Sequence, residues 1–440
     1  MKLSGWGRYP IHEAQVFAPR SEAAIVERIR MGGLIARGNG RAYGDSAISR
    51  QNTVHMRRFN RMIAFDQASG QLVAEAGVLL ADIIQAFLPR GWFPAVTPGT
   101  KFVTVGGMIA ADVHGKNHHR DGSFGNFVDW VDLIGANGAV QRCSRQENTD
   151  LFEWTVGGMG LTGVILRAAI RLRPVETAWI KQTTLPAANL DAAIDLFEQH
   201  QDATYSVGWV DCLSQGERLG KSLVMLGEHS NLDDLNERQR KNGFDAGQKR
   251  VKTVPFDFPS RLLNRVTVRA FNALYYRNGL RKQGDQLVDW DSYFYPLDAI
   301  LGWNRIYGRK GFAQFQCALP LERSRTGLHE LLTAVSNAGA GSFLAVLKRF
   351  GEQQGRFSFP MQGYTLALDF PISTRTLDLM NRLDQITLAH GGRFYLAKDS
   401  RMTAETLRAS DDRAGKFVQM RDDAALRPAF QSTQSERLGL

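Results

Sequence analysis

The chain has 440 residues with a hydrophobic share of 43% and a charged share of 22%, the balance of a folded globular protein too long for one core. No run of about eighteen apolar residues occurs, which excludes a simple helical membrane span. The net charge of +10 suits nucleic acid, anionic lipid or phosphorylated small molecules, and equally a plain basic surface.

The first segment, MKLSGWGRYP, lacks the apolar core of a secretory signal, so a reducing, cytoplasmic location is expected. Cys143, Cys212 and Cys317 lie far apart without C-x-x-C spacing, which argues against a disulfide framework or a zinc site. Ser21, Glu22 and the apolar Ala24, Ile25, Val26 and Ile29 predict a capped helix. It leads into LIARGNGRAYGD, an apolar strand that ends in a glycine loop. Met62–Phe65 and Gln71–Glu75 read as strands around a Ser69-Gly70 turn. Val78–Leu88 has helical spacing and stops at Pro89. Trp92–Thr100 reads as an extended connection. Asp129–Gly135 and Ala139–Cys143 predict a hairpin about Asn137-Gly138 with a type I′ turn. Asp150 is a candidate cap for a short helix through Trp154. Val164–Leu172 alternates as a strand and ends at Pro174. Short strands and helices without regular βαβ alternation predict an α+β fold.

From about residue 176 the texture changes. A helix is expected over Ala187–His200, then a strand-like segment, then a basic region without clear periodicity. Residues 236–252 and 261–283 are rich in arginine and lysine, and the latter interleaves them with aromatics. Strand signals return at Phe312–Leu319, Ser342–Phe350 and Tyr364–Phe370, with helices at Arg325–Ala338 and Arg375–His390. Residues 176–392 therefore read as a second domain, an antiparallel sheet with helices on one face.

Two glycine clusters carry chemistry. Gly38, Gly40 and Gly44 follow a strand directly, and backbone N–H groups in such a loop can form an anion nest for a pyrophosphate, with Arg37 and Arg41 adding charge. An ordinary turn would read the same way, but Gly106-Gly107 supplies a second glycine site in the same domain. That pair lies in Val103–Gly125, which ends in a polar knot of His114, Lys116, Asn117, His118 and His119. Small residues there let a planar or charged body approach the backbone, and imidazole or ammonium groups beside it can orient or titrate. Adjacent histidines point in different directions and no carboxylate partner has ligand spacing, so no metal is expected. Gly158-Met-Gly160-Leu-Thr-Gly163 matches G-x-G-x-x-G, but a strand and not a helix follows it, which rejects a nicotinamide fingerprint. Neither a phosphate loop of the G-x-x-x-x-G-K-[ST] type nor a G-x-S-x-G nucleophile elbow occurs.

Several motifs occur together and in order: GWGR, ARGNGRAYGD, PGTKFVTVGGMIAADVHGKNHH, GSFGN, TVGGMGLTGVI, YPLDAILGWNRIYG, GFAQFQ, FPMQGYTLALDFPI and YLAKDSRMTAET. With these the chain resembles the decaprenylphosphoryl-β-D-ribose 2′-oxidase family, flavoproteins of the vanillyl-alcohol oxidase/p-cresol methylhydroxylase superfamily. The likeness runs nearly end to end and is weakest across about 215–285. It implies an FAD-binding domain from residues 1–175 and 393–440, and a substrate domain, 176–392, like that of the aldonolactone oxidases. It implies that Arg37, Gly38, Asn39, Gly40, Arg41, Ala42, Tyr43 and Gly44 form the pyrophosphate loop. Gly99, Thr104, Val105, Gly106, Gly107, Asp112, His114, Val164 and Tyr395 match positions around FAD. Arg41 stands where related proteins attach the flavin through a histidine, so the FAD is expected to be non-covalent. Lys398 matches an essential lysine near the flavin, and Lys398, His114 and Tyr43 are the implied catalytic residues. Lys116, Trp209, Gln314, Gln316, Lys348, Phe350, Thr365 and Asp369 match the substrate pocket.

The departures sit on the substrate side. Ala367 replaces a cysteine of mycobacterial members, Thr365 replaces an asparagine, and Phe294 replaces a tyrosine. The implied activity is FAD-dependent oxidation of the 2′-hydroxyl of a polyprenyl-phosphoryl-β-D-ribose, the first half of epimerisation to an arabinose donor. A separate short-chain dehydrogenase/reductase would complete it. The same chemistry on a soluble sugar, alditol or aldonolactone is the alternative. A non-catalytic basic protein is a third reading, and no nucleic-acid partner is expected. The basic, aromatic region 236–283 falls where the family has mobile loops over the substrate entrance. Its composition suits an anionic lipid surface, which implies a peripheral position at the inner face of the membrane, with the periplasmic face also open.

Overall fold

Strand pairing in this computed structural model, which describes residues 1–247, 251–259, 262–342 and 344–440, falls mainly into two antiparallel sheets. The basic character read at Lys249, Arg250 and Arg261, and the strand signal at Phe343, lie outside the described residues.

The first sheet runs in the order Val140–Ser144, Val128–Ile134, Val164–Pro174, Gln71–Glu75, Met62–Asp66. Trp92–Pro94 pairs with the far end of the long strand. Alternation puts Leu72, Ala74, Val131, Leu133, Ala168 and Ile170 in a core with Ile83, Ile84 and Phe87 of the helix Leu80–Phe87. Pro89 takes the turn after that helix into a short 3-10 segment, Leu88–Arg90. A small parallel sheet, Val16–Phe17, Asn52–His55 and Leu34–Arg37, stands beside it. The helix Glu22–Arg30 packs there, with Ser21 Oγ accepting from Ala24 N as predicted. Ile25 and Ile29 are fully buried on its inner face, each contributing about 1.5–3 kcal/mol. The chain end returns to this corner: Leu34 N donates to Ala429 O, and Arg437 pairs with Asp45.

The second sheet has eight strands. Their order is Gly284–Asp289, Trp179–Ala187, Ser222–His229, Tyr205–Val210, Val346–Phe350, Gly363–Pro371, Phe312–Pro320, Arg393–Phe394. On one face Phe315, Leu347, Leu366 and Leu368 pack against the helices Leu190–Gln199, Leu321–Ala338 and Thr374–Ala389. Alternation then sends Gln314, Gln316, Lys348, Thr365, Ala367 and Asp369 to the other face. The register fixes their neighbours, since Gln314 stands opposite Asp369 and Lys348 opposite Thr365. A one-residue slip would bury all of these polar groups among the helices.

Four sequence expectations change. Trp179–Ala187 is a strand, and the helix expected from Ala187 begins at Leu190, where Asn189 caps Ala192 N. The hairpin about Asn137-Gly138 forms, but only Gly138 has positive φ (79°), and Gly138 N donates to Gly135 O. A longer turn with one left-handed glycine therefore replaces the type I′ turn. Asp150 lies inside the helix Thr149–Thr155, whose N-cap is Asn148 in the left-handed conformation. Finally, the basic region holds a helix, Arg265–Leu280, capped reciprocally by Asn264 and Thr267. It buries only Val268 and Asn272, so its apolar residues give no amphipathic signal. Tyr275 meets Trp209, and Gly279 backs onto Leu223, on the face opposite the other three helices. The sheet thus carries helices on both faces. Among the described residues no helix is long and apolar enough to cross a membrane.

Candidate active site

The strand Leu34–Arg37 delivers a glycine loop that is clamped from both sides. On one side Trp6 N donates to Ala42 O (2.8 Å) and Gly7 N to Tyr43 O (3.0 Å). On the other, Tyr43 N donates to Ala397 O (2.9 Å). A Cβ at Gly5 would stand 2.2 Å from Gly44 O, and one at Gly44 only 2.1 Å from Asp399 O. Three distant segments therefore meet backbone to backbone, and only glycine permits it. Gly40 adopts φ 65°, with the Arg37 guanidinium packed behind it. Arg37 donates to Ser4 O (2.8 Å) and Ala47 O (3.2 Å), so it props the loop from behind. Asn39 Nδ2 donates to Phe102 O (2.8 Å), and Arg41 lies 4.1 Å above the Trp6 ring.

A cavity of about 320 Å³ opens between this loop and the polar face of the eight-stranded sheet. Gly38, Asn39, Gly40, Arg41, Ala42 and Tyr43 line one wall. Gly99, Thr104, Gly106, Gly107 and His114 line a second, where Thr104 Oγ1 caps the helix Val105–Ala110 by accepting from Gly107 N. Gln314, Gln316, Lys348, Thr365 and Asp369 form the third, with Ala367 between the last two. Tyr395 and Lys398 come from the segment after the sheet's last strand. Gly160 and Gly163 of the rejected fingerprint also border the cavity, followed by the strand Val164–Pro174.

The third wall is electrostatically unusual. Asp369 accepts from Gln314 Nε2 (2.5 Å) and from Tyr307 Oη (3.4 Å), and it is 1% exposed. Burial raises its pKa above the carboxylate range, while Gln314 and Lys398 counter that. Lys398 Nζ sits 3.6 Å over the Tyr43 ring. Burial lowers its pKa and nearby Lys348 lowers it further, while Asp369 raises it. Burial brings Lys348 down to about 8. Tyr43 is held well above its usual range, chiefly by burial and then by Asp369, so it stays protonated. Gln316 Nε2 donates to His114 Nε2 (3.1 Å) and Thr365 Oγ1 (3.2 Å). Burial holds His114 well below the usual imidazole range. The neutral ring then carries its proton on Nδ1, which has no hydrogen-bond partner among the described residues.

Eight residues that the family likeness assigns to the site lie outside the cavity lining. Arg37 and Gly44 support the glycine loop from behind. Val105 and Val164 are buried in the core beneath it. Asp112 is a buried post: its carboxylate accepts from Ser123 Oγ (2.6 Å), Gly125 N (2.8 Å) and Ser358 Oγ (2.5 Å). Lys116 donates from Nζ to Tyr293 O and lies 4.0 Å over the Tyr293 ring. Burial takes it to about 7, with Lys348 lowering it further, and it stands just outside the cavity lining. Trp209 packs against Tyr275, and Phe350 lies between His114 and His118. His118 Nε2 meets Gln353 Oε1 (2.8 Å), and His119 Nε2 meets Ala203 O (2.7 Å).

The cavity also gains residues absent from the candidate set. Asp298 accepts from Thr100 Oγ1 (2.8 Å) and Lys101 N (2.8 Å) and faces Arg41. Trp6 and Trp303, 5.8 Å apart, close the same end. The signal was present, since both tryptophans and Asp298 fall in the motifs GWGR and YPLDAILGWNRIYG.

A planar group bearing a pyrophosphate fits these residues. The glycine loop turns backbone toward the cavity, open space stands at Gly99 where no atom lies within 4 Å of a Cβ, and His114 Nδ1 is an unmet buried donor. Comparison with known proteins agrees. Residues 14–144 match the FAD binding domain family. The whole chain is 36% identical to decaprenylphosphoryl-β-D-ribose oxidase of Mycolicibacterium smegmatis, over 97% of that protein. L-gulonolactone oxidase of Bos taurus is 28% identical over 46% of each chain. Full-length similarity, the FAD-binding module and the two-sheet α+β architecture together show that this chain belongs to the decaprenylphosphoryl-β-D-ribose oxidase family of flavoproteins.

Proposed function

We propose that this chain oxidises the 2′-hydroxyl of a polyprenyl-phosphoryl-β-D-ribose to the 2′-keto sugar, using non-covalently held FAD. The observation that carries this reading is the third cavity wall. Lys348, Gln314, Gln316 and Asp369 converge there opposite the glycine loop, in a chain alike along its full length to an oxidase of that substrate.

The alcohol must lose a hydroxyl proton, which the Asp369 carboxylate on the third wall would accept, and a hydride, for which bound FAD supplies the acceptor. Gly38–Tyr43 and the Gly106-Gly107 turn would hold the cofactor, with His114 Nδ1 as a neutral donor. Arg41, stacked on Trp6, offers no nucleophile for covalent attachment. Lys398 places a preorganised cation in a water-poor site where negative charge develops. Lys348 gives a second cation for the phosphodiester, and Gln314 and Gln316 orient the sugar hydroxyls. Residues 1–175 with 393–440 form the cofactor domain, and residues 176–392 form the substrate domain. The keto product still needs reduction, which a separate short-chain dehydrogenase/reductase would supply.

Anaerobic flavin reduction tests the reading. Polyprenyl-phosphoryl-ribose is expected to bleach the flavin band near about 450 nm, and soluble sugars, alditols and aldonolactones to leave it. Bleaching by soluble polyols alone would replace the lipid-linked substrate with the aldonolactone-oxidase type of reaction.

A further inference from the structure

The helix Arg265–Leu280 is packed by one narrow stripe and leaves the rest of its circumference to solvent. That outer surface is not polar. Val266 is 76% exposed and Leu274 61%, and Phe271 is exposed beside them. Just before the helix Leu262 is exposed, and Phe256 is 62% exposed. Large apolar side chains grouped this way mark an interaction surface rather than ordinary scatter. Arg265, Arg269, Arg277, Arg281 and Lys282, all exposed, stand among them. No acidic residue occurs between Asp257 and Asp285, so the segment supplies no counter-charge of its own.

The surface adjoins the cavity. Tyr275 packs on Trp209, whose strand partner Val346 lines the cavity. Leu263 joins the cluster of Trp303, Tyr307 and Phe312, and Trp303 also lines the cavity. On the neighbouring edge Lys252–Thr253 pairs with Ile300–Leu301, both of the latter exposed, between the cavity residues Asp298 and Trp303.

We propose that this helix, with Leu262 and Phe256, docks the protein on an anionic bilayer, its apolar residues entering the headgroup boundary while its arginines pair with lipid phosphates. The occupant follows from charge complementarity. A second copy would set arginines against arginines, whereas an anionic lipid surface satisfies both the cations and the apolar side chains. Docked this way, the cavity stands at the lipid face. A polyprenyl tail can stay in the membrane while its sugar phosphate reaches Lys348 and Lys398. This last point rests on the lipid-linked substrate proposed above, but the docking itself does not need substrate.

The test is co-sedimentation of the FAD-loaded protein with phosphatidylcholine vesicles, with and without phosphatidylglycerol. Wild type is expected to bind vesicles containing phosphatidylglycerol about tenfold or more tightly than pure phosphatidylcholine. Leu274→Glu and the pair Arg269→Gln, Arg277→Gln are each expected to weaken that binding by about tenfold or more. Their flavin spectra and melting temperatures should stay at wild-type values, because these side chains are exposed. Failure of wild type to bind, equal binding to both vesicles, or wild-type binding by Leu274→Glu would overturn the proposal. A dimer broken by Leu274→Glu, without vesicle binding, would reassign the surface to self-association and overturn it too. If wild type fails to bind vesicles yet oxidises detergent-dispersed polyprenyl-phosphoryl-ribose, only the docking falls. If it binds vesicles but leaves that substrate untouched, the substrate reading falls and the docking stands.

Discussion

The two long walls of the cavity are built by opposite strategies. The glycine loop is held by main chain, with Gly5 and Gly44 admitting contacts that no side chain could survive. The sheet face is held by strand register, which presents side chains such as Lys348, Gln314 and Asp369 to the cavity. Damage to the first wall should loosen the cofactor and the fold together. Damage to the second should spare both and remove turnover. Cofactor binding and chemistry should thus be separable by mutation, and five substitutions probe how far.

The largest effect is expected from Lys398→Met, which keeps the length of the side chain and removes the charge. Stopped-flow measurement should find substrate-driven flavin bleaching slowed by about a hundredfold or more, with FAD content retained. Bleaching at the wild-type rate would remove Lys398 from the chemistry. Next comes Gln314→Leu, which strips Asp369 of its 2.5 Å donor. Steady-state kinetics should lose about ten- to hundredfold in kcat/KM while the flavin spectrum stays put. Spectral change with intact kinetics would mean the two walls are not independent.

The loop is probed by a matched pair. Gly44→Ala meets Asp399 O at 2.1 Å, whereas Gly99→Ala meets nothing within 4 Å. The former should cost about 1–3 kcal/mol in denaturant unfolding and lower FAD affinity. The latter should change unfolding by under about 0.5 kcal/mol. Equal losses would contradict backbone clamping as the reason for these glycines.

The smallest effect concerns pH. Lys348 titrates at about 8 in the folded protein against 10.5 for an ordinary lysine. Because the folded value is depressed, the charged lysine opposes folding fully below about 8, and that penalty fades as pH rises toward 10.5. Lys348→Met should therefore raise Tm by about 1–2 °C at pH 7 and have almost no effect near pH 10.5. A gain independent of pH would point to packing instead of charge.

Legibility in the sequence follows the same division. The glycine loop, Gly106-Gly107 and the capped helix after Ser21 could be read directly, because backbone geometry restricts which residues can stand there. The sheet face could not. Gln314, Lys348 and Asp369 belong to three strands, and only their register brings them together. Without the family likeness each would have passed as a polar strand position. The likeness names Lys116 as a substrate residue, and the structure places it outside the cavity lining, donating to Tyr293 O. The helix Arg265–Leu280 was hidden for another reason: it buries too little to impose a period.

The most direct test of the central claim is single-turnover flavin reduction by polyprenyl-phosphoryl-ribose set against its 2′-deoxy counterpart. The ribose form should bleach the flavin, and the deoxy form should leave it oxidised while competing for the same cavity. Equal bleaching by both would contradict oxidation at the 2′-hydroxyl.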